Sequence, residues 1–285
     1  MSRLRTFLIL GRVSNLPTVW SNCLAGWWLG GGGNLEKLPW LFLGLSLLYT
    51  GGMFLNDAFD AEFDGLHRQE RPIPSGAISR SRVWQLGLLW LLLGEACLVL
   101  LGTTAGVLGL ALVASIVLYD ALHKLVRFSP LLMGACRFLV YLLAADTGLV
   151  GISGWSIWCG LALAAYIVGL SHLARGESVR GSVNYWPASL MALPILLALL
   201  INDGPFRSPA SLKSLVLLLW ILRCLRPTFW VSVRNVGRTV TGLLAGVVLV
   251  DWLAAFHVQS PPELGLVFLV LFFTALVLQR FAPAT

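Results

Sequence analysis

Long apolar runs separated by short polar connections dominate the pattern of this chain. Each run has roughly the 20 mostly apolar residues that a helix needs to cross a bilayer. The strands of a membrane barrel would instead alternate apolar and polar residues. The pattern therefore predicts an all-α, polytopic membrane bundle with nine or ten spans, in one domain over 1–285. The runs cover 15–33, 38–58, 83–101, 104–121, 131–149, 155–173, 185–201, 210–226, 238–256 and 263–280.

Composition agrees with a membrane protein, and the placement of charge suggests its orientation. The chain is 58% hydrophobic and 12% charged, with a net charge of +7, whereas soluble proteins carry about 25% charged residues. If the N-terminus is cytoplasmic, only Lys37, Arg207 and Lys213 of the 20 Lys and Arg fall outside. This asymmetry follows the positive-inside rule. We therefore expect a multi-pass protein of a bacterial inner membrane, surrounded by lipids and with no nucleic-acid partner.

A stripe of polar side chains follows the second apolar run, in the stretch GGMFLNDAFDAEFDGLHRQERPIPSG. Asn56, Asp60 and Asp64 are spaced i, i+4, i+8, which places them along one face of a helix. Carboxylates on one stripe repel each other, and a divalent cation relieves that repulsion. Oxygen ligands of this kind suit Mg²⁺, which also binds substrate phosphates. The stripe predicts a Mg²⁺ site.

Basic residues complement this stripe. Arg71 precedes the stiff segment PIPSG, and arginine makes bidentate contacts with phosphate oxygens. Tyr119 and Lys124 lie at the inner end of the fourth run, and Arg137 lies two turns into the fifth. An arginine at that depth normally faces the bundle interior with a partner. The residues favour a diphosphate site, although a solvated loop and a structural ion pair remain alternative interpretations.

The stretch NDAFDAEFDGLHRQERPIPSG resembles the first signature of the UbiA superfamily of intramembrane prenyltransferases. The signature is N-D-x-x-D-x-x-x-D followed by R-P-I/L-x-x-G. The segments YDALHK and GACRFLVYLLA are also similar to the family's inner segment around spans four and five. The resemblance extends over nearly the whole chain in length and helix layout. It implies nine core helices around a central cavity open to the cytoplasmic side.

The resemblance also implies Mg²⁺-dependent transfer of an isoprenoid from its diphosphate to an acceptor. Asn56, Asp60 and Asp64 would hold metal and diphosphate. Arg71, Lys124 and Arg137 would be the diphosphate contacts.

The chain departs from the family after span six, where a second aspartate-rich motif is usual. The segment there reads VGLSHLARGESVRGSVNYWP, and its one carboxylate is Glu177. Three interpretations stay open. Glu177 binds a second ion, or Arg175 or Arg180 replaces that ion, or the usual chemistry is lost. The segment LARGE is similar to a divergent bacterial branch of the family.

The function that these patterns predict is prenyl transfer to an electron-rich, aromatic acceptor by ionisation to an allylic cation. Asn22 is expected to line the cavity, Tyr119 and Tyr141 to face the cation, and His172 or Glu177 to accept the proton. Asp251 is interpreted as a helix-packing or outer-interface group. The partners would be a prenyl diphosphate and a lipophilic acceptor. The alternatives are a membrane transporter and a non-catalytic lipid-binding member of the family.

Overall fold

The computed structural model of the protein describes residues 3–175, 186–231, 234–255 and 261–282. These residues form helices and their connections, with no strand among them, so the predicted all-α class is confirmed. The α-helices, numbered along the chain, are α1 (Arg3–Leu10), α2 (Leu16–Leu29), α3 (Leu38–His67), α4 (Arg80–Val99), α5 (Thr103–Leu122), α6 (Ser129–Asp146), α7 (Gly154–Arg175), α8 (Trp186–Leu190), α9 (Leu193–Ile201), α10 (Arg207–Phe229), α11 (Val236–Ala254) and α12 (Pro262–Leu278).

Every predicted apolar run corresponds to a helix or a pair of helices. Within the described ranges, seven helices are long and apolar enough to cross a membrane. The segments Trp186–Ile201 and Pro262–Leu278 are shorter apolar helices, and α2 has 14 residues. The expectation of nine core spans is therefore not confirmed as a count, because three of the runs fold into shorter helices.

Local sequence signals explain several helix ends. Proline in the first turn begins α2, α3, α6, α9 and α12, where its missing N–H costs no hydrogen bond. Ser79 caps α4 by accepting a hydrogen bond from the Arg82 backbone N–H, as N-cap residues do. Gly76 has φ of +74°, which lets the chain after α3 reverse and enter α4.

The outer surface is apolar and the interior is partly polar, the reverse of a soluble protein. Leu92 on α4 is 70% exposed and Leu110 on α5 is 59% exposed, whereas Arg137 is 9% exposed and Asp251 is fully buried. Contiguous apolar surface of this kind needs an apolar surrounding. The arrangement is that of a multi-pass membrane protein.

Glycines let neighbouring helices approach closely. A Cβ on Gly26 of α2 would lie 2.7 Å from the Tyr141 carbonyl oxygen of α6. A Cβ on Gly51 of α3 would lie 2.9 Å from the Gly87 carbonyl oxygen of α4. Small residues at such crossings are typical of membrane helices. The tight α2–α6 crossing brings polar side chains of these two helices together.

The length of α3 carries its carboxylates to one end of the bundle. Its 30 residues span about 45 Å at 1.5 Å per residue, against about 30 Å for the hydrocarbon core. The carboxylate stripe is therefore helical but lies toward or beyond the edge of the core. The turn before α2, the α3–α4 connection, the α5–α6 connection and the end of α7 meet at this same end, which we call the charged end.

Candidate active site at the charged end

Two carboxylates near the end of α3 share one arginine. Arg71 Nη1 lies 2.9 Å from Asp57 Oδ1 and 3.4 Å from Asp64 Oδ2. Asp57 and Asp64 are seven residues apart, two helical turns, so both face the returning α3–α4 connection. Burial lowers the pKa of Arg71, the neighbouring Arg12 lowers it further, and the two carboxylates offset only part of this effect. The guanidinium nevertheless stays charged, since an arginine starts from a very high pKa.

A second arginine reaches the same group from the other side. Arg12 Nη2 donates to Asn56 Oδ1 at 3.1 Å and to Asp57 Oδ1 at 3.4 Å. Burial lowers the pKa of Arg12, but the Asp57 charge and the smaller effects of Tyr49, Tyr119 and Asp60 together outweigh burial and raise the pKa overall. Arg12 has φ of +41°, a conformation uncommon for a residue with a side chain. The backbone turn before α2 therefore directs a cation onto the carboxylate stripe.

Asp60 faces the α5–α6 connection, residues 123–128. Its Oδ1 lies 2.6 Å from Lys124 Nζ and 3.3 Å from His123 Nε2. The Lys124 ammonium also lies over the Phe63 ring at 4.1 Å. Burial lowers the pKa of His123, but the hydrogen bond with Asp60, the charge of that carboxylate and a backbone hydrogen bond to Asp120 together outweigh burial and raise the pKa above 6.5. Asp60 thus has two partners from another part of the chain, the Lys124 ammonium and the His123 imidazole.

An apolar cavity begins beside this charged cluster. It encloses about 70 Å³ between α2, α3, α5 and α6. Tyr119, Asp120 and Arg137 line it together with apolar side chains such as Leu48 and Val140. Asn56 Nδ2 donates to Asp120 Oδ1 at 3.1 Å. The cavity therefore has an apolar body and one charged wall, and Asn56 connects that wall to the carboxylate stripe.

Arg137 is buried without a direct carboxylate partner in the described part of the chain. Its Nη1 donates to Asn22 Oδ1 at 2.6 Å, and its Nη2 donates to Thr18 Oγ1 at 3.1 Å. Asn22 Nδ2 in turn donates to Asp251 Oδ2 at 2.7 Å. A buried guanidinium that is satisfied by neutral oxygens keeps an attraction for an anion. The cavity wall thus presents positive charge.

Comparison with known proteins decides the family. A model described as the UbiA prenyltransferase family matches residues 15–178, more than half of the chain. This chain belongs to the UbiA prenyltransferase family. The suspected resemblance is therefore confirmed, and the match covers all of the cavity-lining helices.

Relatives of this UbiA-family chain have named activities. The chain is 34% identical over 146 residues to digeranylgeranylglyceryl phosphate synthase of Pyrococcus abyssi, covering 48% of this chain and 49% of that protein. It is 28% identical over 148 residues to 4-hydroxybenzoate octaprenyltransferase of Pseudomonas fluorescens, covering 50% and 48%. The chain thus spans about half the length of the curated relatives it matches.

A solved structure shows the same fold over almost the whole length. The UbiA homolog from Archaeoglobus fulgidus bound to GPP and Mg²⁺ superposes with a TM-score of 0.66 at 14% identity. The likeness covers 96% of this chain and 99% of that chain. The bundle predicted from the apolar runs is therefore the fold of UbiA homologs.

The structure gathers most of the predicted site residues of this UbiA-family chain and separates some. Asn56, Asp60, Asp64, Arg71 and Lys124 lie together at the charged end, and Tyr119 and Arg137 line the adjacent cavity. His172 lies in the last turn of α7, where its ring contacts Trp186 with centroids 5.0 Å apart. Glu177 and Arg180 lie outside the described residues.

Two predicted substrate contacts, Asn22 and Arg175, have protein partners in this structure. Asn22 is fully buried between Arg137 and Asp251, so in this structure it acts on the cavity through Arg137. Arg175 donates to backbone carbonyls of the α5–α6 connection. Tyr141, expected near the allylic cation, donates to Asp251 Oδ1 at 2.6 Å.

Several residues of the site were missed by sequence reasoning. These are Arg12, Asp57, Asp120, His123 and Asp251. A signal existed for Asp57, since it lies seven residues before Asp64 and so on the same helix face. Arg12 and Asp251 had no local signal in the sequence, because Asp57 lies 45 residues from Arg12 and Ser21 lies 230 residues from Asp251.

The oxygen donors at the charged end fit Mg²⁺ in chemistry. Asn56, Asp60 and Asp64 offer the amide and carboxylate oxygens that Mg²⁺ prefers, and Asp120 Oδ2 is buried without a hydrogen-bond partner. In the described part of the chain, no three His, Cys, Asp or Glu side chains already converge as a metal-ligand group. The carboxylates are instead held by Arg71, Lys124 and their neighbours. These side-chain cations contact the same carboxylate oxygens that a bound metal ion would contact.

Proposed function

We propose that this chain transfers an isoprenoid from a prenyl diphosphate to an electron-rich acceptor at the membrane. One observation carries the proposal: the apolar cavity has a single charged wall, which continues into a cluster of alternating acids and bases. A prenyl diphosphate has the matching form, with an apolar tail and a strongly anionic head. The names of the relatives and the GPP-bound homolog support the same substrate class.

Mg²⁺ is the cofactor in this proposal, with Asn56, Asp60 and Asp64 as its ligands. Glu177, predicted as a further ligand, lies outside the described residues. When bound, Mg²⁺ would supply positive charge that stabilises the negative charge developing on the diphosphate. The GPP-bound homolog was solved with Mg²⁺.

The basic residues of the chain bind the diphosphate. Arg71 and Lys124 lie beside the carboxylates of α3 at the charged end, and Arg137 lines the cavity. Negative charge develops on the diphosphate as it leaves. Positive groups that are already in position therefore stabilise the transition state more than they stabilise the bound substrate. Arg71 and Lys124 would exchange part of their carboxylate contacts for phosphate oxygens as the substrate enters.

The cavity protects the carbon that loses the diphosphate. Its apolar body excludes water, which would otherwise trap an allylic cation. The Tyr119 ring lines the cavity, and an aromatic face attracts a cation. The enclosed volume of about 70 Å³ holds only a few water-sized molecules, so the helices must separate to admit a prenyl tail. The tail would enter from the lipid side.

The acceptor then attacks the allylic carbon, and its proton must go to a base. His172 and Glu177 are the proposed acceptors of that proton. The relatives are named for acceptors as different as 4-hydroxybenzoate and a glyceryl phosphate lipid, and we propose an aromatic acceptor. We also propose that the charged end faces the cytoplasm of a bacterial inner membrane, from the positive-inside asymmetry.

The test is a direct assay of the purified protein. It would be incubated in detergent with prenyl diphosphates of several lengths, Mg²⁺ and a membrane-lipid extract, and products would be identified by mass spectrometry. We expect a prenylated product that requires Mg²⁺ and disappears in Asp60→Asn. Glu62→Gln is the matched control, because Glu62 lies on the same helix with its side chain 86% exposed.

The assay also separates the alternatives. Tight binding of prenyl diphosphate without any product would favour a lipid-binding protein. Flux of a lipid diphosphate in proteoliposomes, abolished in Asp60→Asn, would favour a transporter. Either outcome would overturn the proposed function.

A further inference from the structure

Arg175, the last residue of α7, is tied to the backbone of the α5–α6 connection. Its Nη1 donates to the Arg127 carbonyl oxygen at 2.6 Å. Its Nη2 donates to the carbonyl oxygens of His123 at 2.6 Å and Val126 at 2.8 Å. One guanidinium thus joins three carbonyls within five residues of chain.

These carbonyls directly follow helix α5, which ends at Leu122. Ser129 donates to two of them, from Oγ to the His123 oxygen at 3.3 Å and from its backbone N–H to the Val126 oxygen at 3.5 Å, and Arg175 adds a charged donor to all three. The end of a helix also carries partial negative charge, which favours a cation there. Hydrogen bonds from a charged donor are roughly twice as strong as neutral ones. Arg175 therefore fixes the shape of the connection from a helix that is distant in sequence.

The connection that Arg175 holds also carries Lys124 and His123, the two partners of Asp60. Lys124 Nζ lies 2.6 Å from Asp60 Oδ1, and His123 Nε2 lies 3.3 Å from the same oxygen. The first carbonyl that Arg175 binds belongs to His123 itself. A displacement of this backbone would carry the Lys124 ammonium away from the carboxylate stripe, since its side chain already reaches across to α3.

We propose that Arg175 is a positioning residue, which holds the α5–α6 connection so that Lys124 stands at the diphosphate site. The inference rests on the proposed function for its account of Lys124. It gives Arg175 a different task from direct contact with the diphosphate, because three of its five N–H groups already donate to backbone carbonyls. Arginine suits the task, since its planar fork presents several donors in fixed directions.

A double-mutant cycle between Arg175 and Lys124 tests the proposal. We expect Arg175→Ala and Lys124→Ala each to lower kcat/KM for the prenyl diphosphate about tenfold, the value of one lost charge-assisted contact. In the Lys124→Ala background, Arg175→Ala should add less than about twofold, since residues that act through one another are not additive. Arg175→Lys should restore part of the activity.

A second measurement needs no substrate. Hydrogen–deuterium exchange of the amides in 122–128 should accelerate in Arg175→Ala and to a smaller extent in Arg175→Lys. Arg127→Ala is the matched control, because it removes an exposed side chain of the same connection and leaves its carbonyl in place. We expect exchange and activity in this control to match the unmodified protein.

The outcomes distinguish this inference from the proposed function. An Arg175→Ala loss that is equally large with and without Lys124 would overturn the positioning role. Unchanged exchange in Arg175→Ala would do the same, whatever the enzyme assay shows. Absence of any prenyl transfer by the unmodified protein, together with faster exchange in Arg175→Ala, would overturn the proposed function and leave the backbone contact established.

Discussion

Asn22 links Arg137 to Asp251 through opposite ends of its side-chain amide. Its Oδ1 accepts from Arg137 Nη1 at 2.6 Å, and its Nδ2 donates to Asp251 Oδ2 at 2.7 Å. The carboxylate also accepts from Ser21 and from Tyr141. Three helices, α2, α6 and α11, therefore meet at one buried carboxylate. Since Asp251 engages the amide NH₂ of Asn22, the amide oxygen is directed toward Arg137 in the cavity wall.

Asp251→Asn should destabilise the bundle. The three donors around Asp251 need acceptors, and an asparagine amide replaces one acceptor oxygen with another donor. A buried polar group left without a partner costs about 1–3 kcal/mol. We expect a lower thermal unfolding midpoint in detergent, measured by intrinsic fluorescence. Asp203→Asn, an exposed aspartate before α10, should unfold like the unmodified protein, and equal midpoints for both variants would refute the role of this network.

Arg137→Lys should weaken binding of the prenyl diphosphate although the charge is kept. A single ammonium cannot hold Asn22 and Thr18 in the geometry of the guanidinium fork. The loss of one charge-assisted hydrogen bond, about 1.5–3 kcal/mol, corresponds to a rise in KM of roughly tenfold or more. Steady-state kinetics with varied prenyl diphosphate measure it. Arg223→Lys on α10, where the guanidinium lies beside the Trp220 ring, serves as the control, and an unchanged KM in Arg137→Lys would contradict the assignment.

Arg71→Ala should shift the affinities for metal and for diphosphate in opposite directions. Arg71 pairs with both Asp57 and Asp64, so its removal leaves more negative charge for Mg²⁺ and less positive charge for the diphosphate. We expect Mg²⁺ to half-activate the enzyme at a lower concentration, while KM for the prenyl diphosphate rises about tenfold.

A matched control for Arg71→Ala is Arg82→Ala, an exposed arginine at the start of α4. Titrations of Mg²⁺ and of prenyl diphosphate would be compared between the two variants. Lower affinities for both Mg²⁺ and prenyl diphosphate in Arg71→Ala would contradict this prediction and indicate that Arg71 only maintains the local fold. In that case Arg71→Lys would retain both affinities.

The stability of the Mg²⁺-free protein should fall as pH rises through the folded pKa of His123. The pairing with Asp60 raises that pKa above 6.5, so the contribution is complete below the unfolded pKa and is lost above the folded one. We would compare unfolding midpoints of the unmodified protein and His123→Gln across this range. The difference should be largest at acidic pH, and a difference that is constant with pH would exclude the ion pair.

The apolar pattern predicted much of the fold. Runs of about twenty apolar residues are specific for membrane helices because every backbone group in lipid must be satisfied within the helix. The same pattern predicted one continuous span at 185–201, and this prediction was wrong because residues 186–201 form the two short helices α8 and α9. Apolar composition measures contact with lipid or core, and it does not measure whether a helix is continuous.

Local spacing predicted part of the site. Asn56, Asp60 and Asp64 belong to one helix, so their common face follows from helical periodicity. Their partners do not follow from it, because Lys124 and Arg12 reach them from separate segments of chain. The interpretation of Asp251 as a helix-packing group agrees with its contacts, although its link to Arg137 through Asn22 has no counterpart in the sequence pattern.

The membrane class, the helical layout and the carboxylate stripe follow from the order of residues alone, since each depends on neighbours within one or two helical turns. The folded bundle is needed to show which cation faces which acid, which buried carboxylate supports Arg137, and that Arg175 binds backbone carbonyls. Those relationships depend on how closely helices cross, and the crossings are set by side-chain shape at positions far apart in the chain, such as Gly26 against Tyr141.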